Sequence, residues 1–341
     1  MGGERFEAEI REQPAVWRSL AASSLAATFA DAVRGRDVVL VGSGSSLFVA
    51  MLGALALRRR HVRAAAMPAT EAAFERAAYR GRTVVALSQS GRSADVLAAI
   101  AMLAPARLIA ITNDVVSPLA ARADLVLDVA AGRERAVPAS KSVTAMVAVV
   151  LWGAALVDAG SERDRATQRG NERSAATLRA TADDVEAWLA GPGIASVALA
   201  AQRIARRSSV AILGAGYGVP IALELALKLK EASYVHAEGF AAGEFRHGSA
   251  AILDATTTLV GVVDDASASI VARPLDEAVR TESLRYTIGG ALAGIEMLGA
   301  RTGEAFNTLA WLVAGQVLAL EVGRARGVES DAPRGLTKFV P

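Results

Sequence analysis

Apolar residues in this chain gather in short continuous runs, and between the runs they recur at helical spacing. The runs at 37–42, 62–67, 83–88, 107–112 and 124–129 are rich in valine, isoleucine, leucine and alanine. Runs of this kind, without polar alternation, mark strands buried on both faces. Helical patterns separate them, and a long apolar helix is predicted over 141–158. Alternating strands and helices of this type predict an α/β fold with a parallel sheet. Residues 4–29 precede it as an amphipathic helical lead-in. Phe6, Ile10, Val16, Trp17 and Leu20 form its apolar side, and Pro14 is predicted to break it in two.

Residues 160–190 are polar and arginine-rich, which predicts a solvated helical connection with a break at Gly170. The pattern then restarts: residues 210–216 repeat 38–44, each an apolar strand ending in Gly-x-Gly and followed by a helix. Two copies of one α/β unit is the economical reading. The second copy continues with a helix from Pro220 to about Ser233, a strand at 257–263, a weaker strand near 284–288 and a helix over 304–324. The last eleven residues contain Pro333, Gly335 and Pro341, too many breakers for an element. The expected organisation is a helical segment 1–30, a first domain 31–160, a helical connection 161–195, a second domain 196–330 and an irregular tail 331–341.

Composition narrows the function. The 341 residues are 52% hydrophobic with a net charge of +2. The pI near 9.1 reflects a few extra arginines, and no basic cluster alternates with aromatics, so no nucleic-acid partner is expected. There is no cysteine, which excludes disulfides, thiolate metal sites and a cysteine nucleophile. The N-terminus is charged and lacks a signal-peptide core. The longest apolar run, 143–157, is interrupted at Thr144 and Gly153 and falls short of the ~20 residues of a membrane span. A cytoplasmic protein with no membrane partner is expected. Lysine occurs only at 141, 228, 230 and 338, and arginine supplies the rest of the 37 basic residues. The surviving lysines point to positions that need a compact amine able to lose its proton, which arginine cannot supply.

Two stretches carry candidate chemistry. The helix from Pro220 is apolar almost all round, as buried helices are, yet Glu224, Lys228 and Glu231 stand on one face at steps of four and three. Such charges must pair or line a wet cavity. A structural Glu224–Lys228 ion pair also accounts for part of the pattern. His236, Glu238, Glu244 and His247 follow closely. The second stretch is Ser88-Gln89-Ser90-Gly91-Arg92-Ser93-Ala94-Asp95, between a buried strand and a helix. It lies at the carboxyl edge of a parallel sheet, where ligands bind, and helix N-termini favour anions. The hydroxyls of Ser88, Ser90 and Ser93 and the amide of Gln89 can surround a phosphate without a metal, joined by Ser45 and Ser46 from the neighbouring strand end. Helix capping alone explains one or two of these polar groups. The Gly-x-Gly turns lack the third glycine of a dinucleotide site, since Leu47 and Val219 stand there. No cofactor and no metal are expected.

These residues match a family. Gly44-Ser45-Ser46, the stretch from Ser88 to Asp95 and the stretch ERAVPASKSVT from Glu134 resemble the sugar-isomerase (SIS) domain. The stretch ALKLKEASYVHAEGFAAGEFRHG and the tail DAPRGLTK resemble the isomerase half of glucosamine-6-phosphate synthase and the deaminases built on it. The resemblance covers nearly the whole chain. It implies two tandem flavodoxin-like domains and a sugar phosphate as substrate. It implies that Ser46, Ser88, Gln89, Ser90 and Ser93 hold the phosphate, and that Val137 and the backbone at Thr337 touch sugar hydroxyls. It implies that Glu231 moves a proton between C1 and C2 with support from Lys228. It implies that His247 from a second subunit of a homodimer opens the ring, and that Lys338 forms a Schiff base with the open-chain ketose. Glucosamine-6-phosphate deamination is the expected activity. A fructosamine-6-phosphate deglycase, an ammonia-using synthase and a non-catalytic sugar-phosphate sensor are the alternatives. No glutaminase domain is expected in this chain. Ala139 stands where the family usually has a serine, and Ser249 where it usually has a proline.

Overall fold

A computed structural model describes residues 2–157, 164–302 and 306–338, with the side chains of 164–167 outside the description. Contacts divide the chain into two compact units. One comprises residues 15–134, 141–180 and the chain from Lys338; the other comprises the residues up to Pro14, 135–140 and 181–337.

The chain opens with helix α1 (Glu4–Leu20), which runs unbroken through Pro14, and continues with α2 (Leu25–Val33). The expected break at Pro14 does not occur. Proline leaves the carbonyl four residues earlier without its amide partner. That carbonyl, on Ile10, accepts instead from the side-chain amide of buried Gln13 at 3.1 Å.

The first sheet is built from β1 (Val38–Gly42), α3 (Ser45–Arg58), β2 (Ala64–Pro68), α4 (Ala72–Tyr79), β3 (Thr83–Leu87), α5 (Ala94–Leu103), β4 (Arg107–Thr112) and β5 (Leu125–Asp128). Its order is β2-β1-β3-β4-β5 and every pairing is parallel. The central strands β1 and β3 are buried at every position, as their continuous apolar sequences require. Helix α6 (Lys141–Leu156) follows and is buried on nearly all sides. Helix α7 (Asp164–Ala190) then runs through Gly170 without interruption, contrary to expectation. A helix-interior glycine costs only ~1 kcal/mol. Ala175, Leu178, Ala182, Val185 and Leu189, buried at steps of three and four, outweigh it.

After α8 (Gly193–Ile204) the second sheet is built from β6 (Ser209–Gly214), α9 (Gly218–Ser233), β7 (His236–Ala241), α10 (Ala242–Phe245), β8 (Thr257–Val262), α11 (Ala268–Glu277), β9 (Leu284–Ile288) and β10 (Glu296–Leu298). Helix α12 (Asn307–Ala325) completes this unit; residue 304, expected to open it, lies outside the described residues. The order is β10-β9-β8-β6-β7, all parallel. Read from its own first strand, this is the order of the first sheet, so the sequence repeat is a structural repeat. Both sheets reverse direction beside their first strand, the point where doubly wound folds bind ligands.

The repeated Gly-x-Gly has one structural job in both copies. A Cβ on Gly42 would stand 2.6 Å from the Ser46 carbonyl carbon, and one on Gly214 would stand 2.0 Å from the Gly218 oxygen. Gly44 and Gly216 both sit at φ 55°, in the left-handed region. The first glycine lets strand and helix approach; the second turns the chain.

Candidate functional site

In the first unit the functional candidates lie at the carboxyl ends of β1 and β3. Ser45 and Ser46 open α3 directly after the glycine turn. Ser88 is buried, and its hydroxyl accepts from the Gly91 amide at 3.1 Å. Ser90 Oγ accepts from the Arg92 amide at 3.2 Å. The Gln89 carbonyl accepts from the Asn113 amide at 3.1 Å and from Thr112 Oγ1 at 3.3 Å. Gly91 sits at φ 60°, and any Cβ there would fall 2.0 Å from Ser117 Oγ. Arg92 pairs with Asp114 at 2.8 Å. The loop after β4 thus braces the loop after β3 and fixes its backbone. Ser93 immediately precedes α5, yet its hydroxyl makes no capping hydrogen bond. Capping therefore does not account for Ser93.

The same unit holds a second cluster that the sequence reading did not assign. Glu134 is buried in front of α6. Its carboxylate accepts from the Ser142 amide at 3.0 Å and the Ser142 hydroxyl at 2.6 Å, so it stabilises the helix N-terminus. Lys338 reaches the same carboxylate at 3.4 Å, with its own side chain 20% exposed. The available signal was Glu134's position at the head of ERAVPASKSVT, between two arginines and just before an apolar run. Lys141, the first residue of α6, is itself buried.

In the other unit, α9 sets the chemistry. Pro220 lies in its first turn, where an amide is not needed. Glu224 and Lys228 are almost fully buried, and Lys228 Nζ lies 3.6 Å from Glu224 Oε1. The same ammonium bonds Glu231 Oε2. Glu231 is the exposed member of the three, at 17%. One ammonium therefore faces two carboxylates, and only one of these reaches solvent. The expected charged stripe exists and is paired through its middle lysine, on a helix otherwise packed among apolar residues.

His247 lies in the turn after α10, exposed, with its amide bonded to the Glu244 carbonyl at 2.9 Å. His236 is exposed and pairs with Glu238 at 3.1 Å. Val137 is half-buried, and its amide donates to the Asp331 carbonyl at 2.9 Å. Thr337 is exposed. The described part of the tail, up to Lys338, forms no element, as its breakers predict, but it is tied down. The Asp331 carboxylate accepts from the Arg5 and Phe6 amides at 3.0 and 2.8 Å, so it caps α1. Ser330 Oγ donates to the Ala232 carbonyl at the end of α9, at 2.8 Å.

Among the described residues no group of three or more histidines or carboxylates is arranged to hold a metal, and no helix is long and apolar enough to cross a membrane.

Comparison with known proteins agrees with this architecture. The family model described as SIS domain matches residues 34–155 and 203–280, one match in each sheet. A glutamine–fructose-6-phosphate aminotransferase (isomerizing) of Mycolicibacterium smegmatis is 37% identical over 280 residues, which is 76% of this chain and 43% of that protein. The chain thus spans less than half the length of that relative. Among solved structures, the C-terminal domain of glucosamine-fructose-6-phosphate aminotransferase from Francisella tularensis aligns with a TM-score of 0.81 at 22% identity, covering 97% of this chain and 98% of that one. Glucosamine-6-phosphate deaminase from Thermotoga maritima aligns with a TM-score of 0.77 at 22% identity, covering 99% of both chains. At that identity these two structures speak for the fold. Its matched sequence, repeated sheet order and repeated glycine turns place the chain in the SIS domain family.

Proposed function

We propose that this protein is a phosphosugar aminohydrolase that converts glucosamine 6-phosphate to fructose 6-phosphate and ammonia. The observation that carries the reading is the α9 triad, in which buried Lys228 bonds the one partly exposed carboxylate, Glu231. Aldose–ketose conversion needs a base that removes a proton and returns it to the next carbon. A carboxylate oriented by a fixed ammonium, with one face open, suits that work.

In this reading the hydroxyls of Ser46, Ser88, Ser90 and Ser93, the Gln89 amide and the amides opening α5 hold the phosphate. His247 of a second subunit opens the sugar ring, which makes the active form a homodimer. Glu231 takes the C2 proton and delivers it to C1, leaving an imine at C2. The Lys338 amine adds to C2 as ammonia leaves, and water then releases fructose 6-phosphate and restores the lysine. Val137 and Thr337 orient the sugar hydroxyls. The sequence relatives, named as glutamine–fructose-6-phosphate aminotransferases, favour a second reading in which the same steps run toward synthesis; with no cysteine in this chain to release ammonia from glutamine, that reading takes free ammonia as the nitrogen source.

The test is ammonia release measured across a panel of 2-amino-sugar and fructosamine 6-phosphates. The proposal expects ammonia and fructose 6-phosphate in equal amounts from glucosamine 6-phosphate. Turnover of fructosamine 6-phosphates alone would make the protein a deglycase. Binding without turnover of any member would make it a sensor. Net amination of fructose 6-phosphate by ammonium salts would favour the synthetic direction.

A further inference from the structure

We infer that Tyr234 is a positioning residue for Lys338, because it ties the tail to the end of the helix that carries Glu231. The inference rests on the reading of Lys338 as the imine-forming amine.

Tyr234 closes α9 at φ 55°, in the left-handed region. Glycine or asparagine is the usual residue at such a helix end, because a larger L side chain is sterically disfavoured there. Tyrosine therefore carries a cost that the cap itself does not require, and its side chain must contribute something those residues cannot. Its partner is Arg334. The phenol oxygen accepts from the Arg334 amide at 2.7 Å. The Arg334 guanidinium lies over the same ring, 4.4 Å from its centroid, within cation–π range. One ring thus engages both the backbone and the side chain of Arg334. The Ser330 hydroxyl bonded to Ala232 makes a third tie between the same two stretches.

The described part of the tail has no helix or strand to stiffen it, so these ties decide its course together with those at Asp331 and the Lys338–Glu134 pair. Glu231 lies shortly before Tyr234 in the chain, and Lys338 lies shortly after Arg334. Loosening the tail at Arg334 would remove the backbone support behind the lysine amine and leave it to side-chain contacts such as the one to Glu134, and attack on a carbonyl depends steeply on placement.

The test uses the full chain and three variants. Tyr234→Asn keeps a residue suited to the cap and removes the ring. Tyr234→Phe keeps the ring and removes the acceptor. Arg334→Ala, at an exposed position, removes the stack and keeps the amide. Each protein is incubated with fructose 6-phosphate and borohydride, and the rate of labelling at Lys338 is followed by peptide mass spectrometry, which the scarcity of lysine makes simple. Tyr234→Asn is expected to slow labelling and kcat by about 10- to 100-fold while KM stays within about twofold. The other two variants, each losing one of the two ties, are expected to fall between. Wild-type labelling rates in Tyr234→Asn would overturn the positioning role and leave the imine assignment standing. If Tyr234→Asn fails to fold, wild-type rates in both Tyr234→Phe and Arg334→Ala would overturn it in the same way. No label at Lys338 in the wild-type protein would overturn both.

Discussion

The two sheets share one strand order and one glycine turn, yet they differ where function would lie. In the first copy, the start of the helix after β1 carries Ser45 and Ser46, the loop after β3 carries Ser88, Ser90 and Ser93, and Ser93 precedes a helix without capping it. In the second copy, the loop after β8 closes on itself. The Asp264 amide donates to Ser267 Oγ at 3.0 Å, and the Ser267 amide donates to Asp264 Oδ1 at 2.7 Å. A carboxylate already sits where an anion would be received. The contrast reverses on the helix after the first strand. Helix α3 has no acidic residue and no charge before Arg58, whereas α9 buries Glu224 and Lys228 and leaves Glu231 partly exposed. In the proposed reading, one copy carries the groups that hold an anion and the other the groups that move a proton. The shared fold specifies neither role; side chains at equivalent positions do.

The largest effect should come from α9, the helix to which the proposed function gives the proton transfer. Glu231→Gln keeps size and hydrogen-bonding shape but cannot carry the proton, so kcat should fall by about 10²- to 10⁴-fold. Steady-state kinetics with an unchanged circular-dichroism spectrum would establish this, and a loss below tenfold would remove Glu231 from the base role. Lys228→Met tests the same helix through stability. It strands the buried Glu224 carboxylate, and losing one member of a buried pair costs about 3–5 kcal/mol. Urea unfolding reads this directly; a cost below ~1 kcal/mol would mean that the triad is not held by its charges.

Smaller effects should separate the two loops. Ser93→Ala removes a hydroxyl not spent on capping, so the melting temperature should hold while affinity for fructose 6-phosphate falls about 10- to 100-fold, the worth of one hydrogen bond to a charged group. Calorimetric titration reads the binding. Asp264→Ala should do the opposite, costing about 1 kcal/mol through the lost hydrogen bond to the Ser267 amide while leaving sugar-phosphate affinity unchanged. Equal binding losses in the two variants would erase the distinction between the copies.

The central strands and both long buried helices were legible because their apolar sequences admit few alternatives. The edge strands of the second sheet were not, although β2 and β5 at the edges of the first were. β7 has the sequence HAEGFA, with His236 and Glu238 exposed, and β10 is three residues long. Neither carries a buried run, and the backbone of a neighbouring strand supplies the pairing that sequence pattern cannot announce. Pro14 and Gly170 misled for a related reason: local breaker rules gave way to a side-chain substitute for one amide and to apolar anchoring along a long helix. At the candidate site, the Glu224–Lys228–Glu231 face followed from helical spacing and the serine loop from its position after β3. Glu134 and Tyr234 were not legible. Their partners, Lys338 and Arg334, are distant in sequence, and a partner across such a separation leaves no periodic trace.

The division between a holding copy and a reacting copy is tested most directly by exchange of the C1 proton of fructose 6-phosphate with solvent deuterium, followed by NMR alongside calorimetric binding. The wild-type protein should bind the sugar phosphate and wash deuterium into C1. Glu231→Gln should bind with unchanged affinity and show no exchange, while Ser93→Ala should exchange at saturating sugar but require about 10- to 100-fold more of it. Exchange at the wild-type rate in Glu231→Gln, or unweakened binding in Ser93→Ala, would contradict the account.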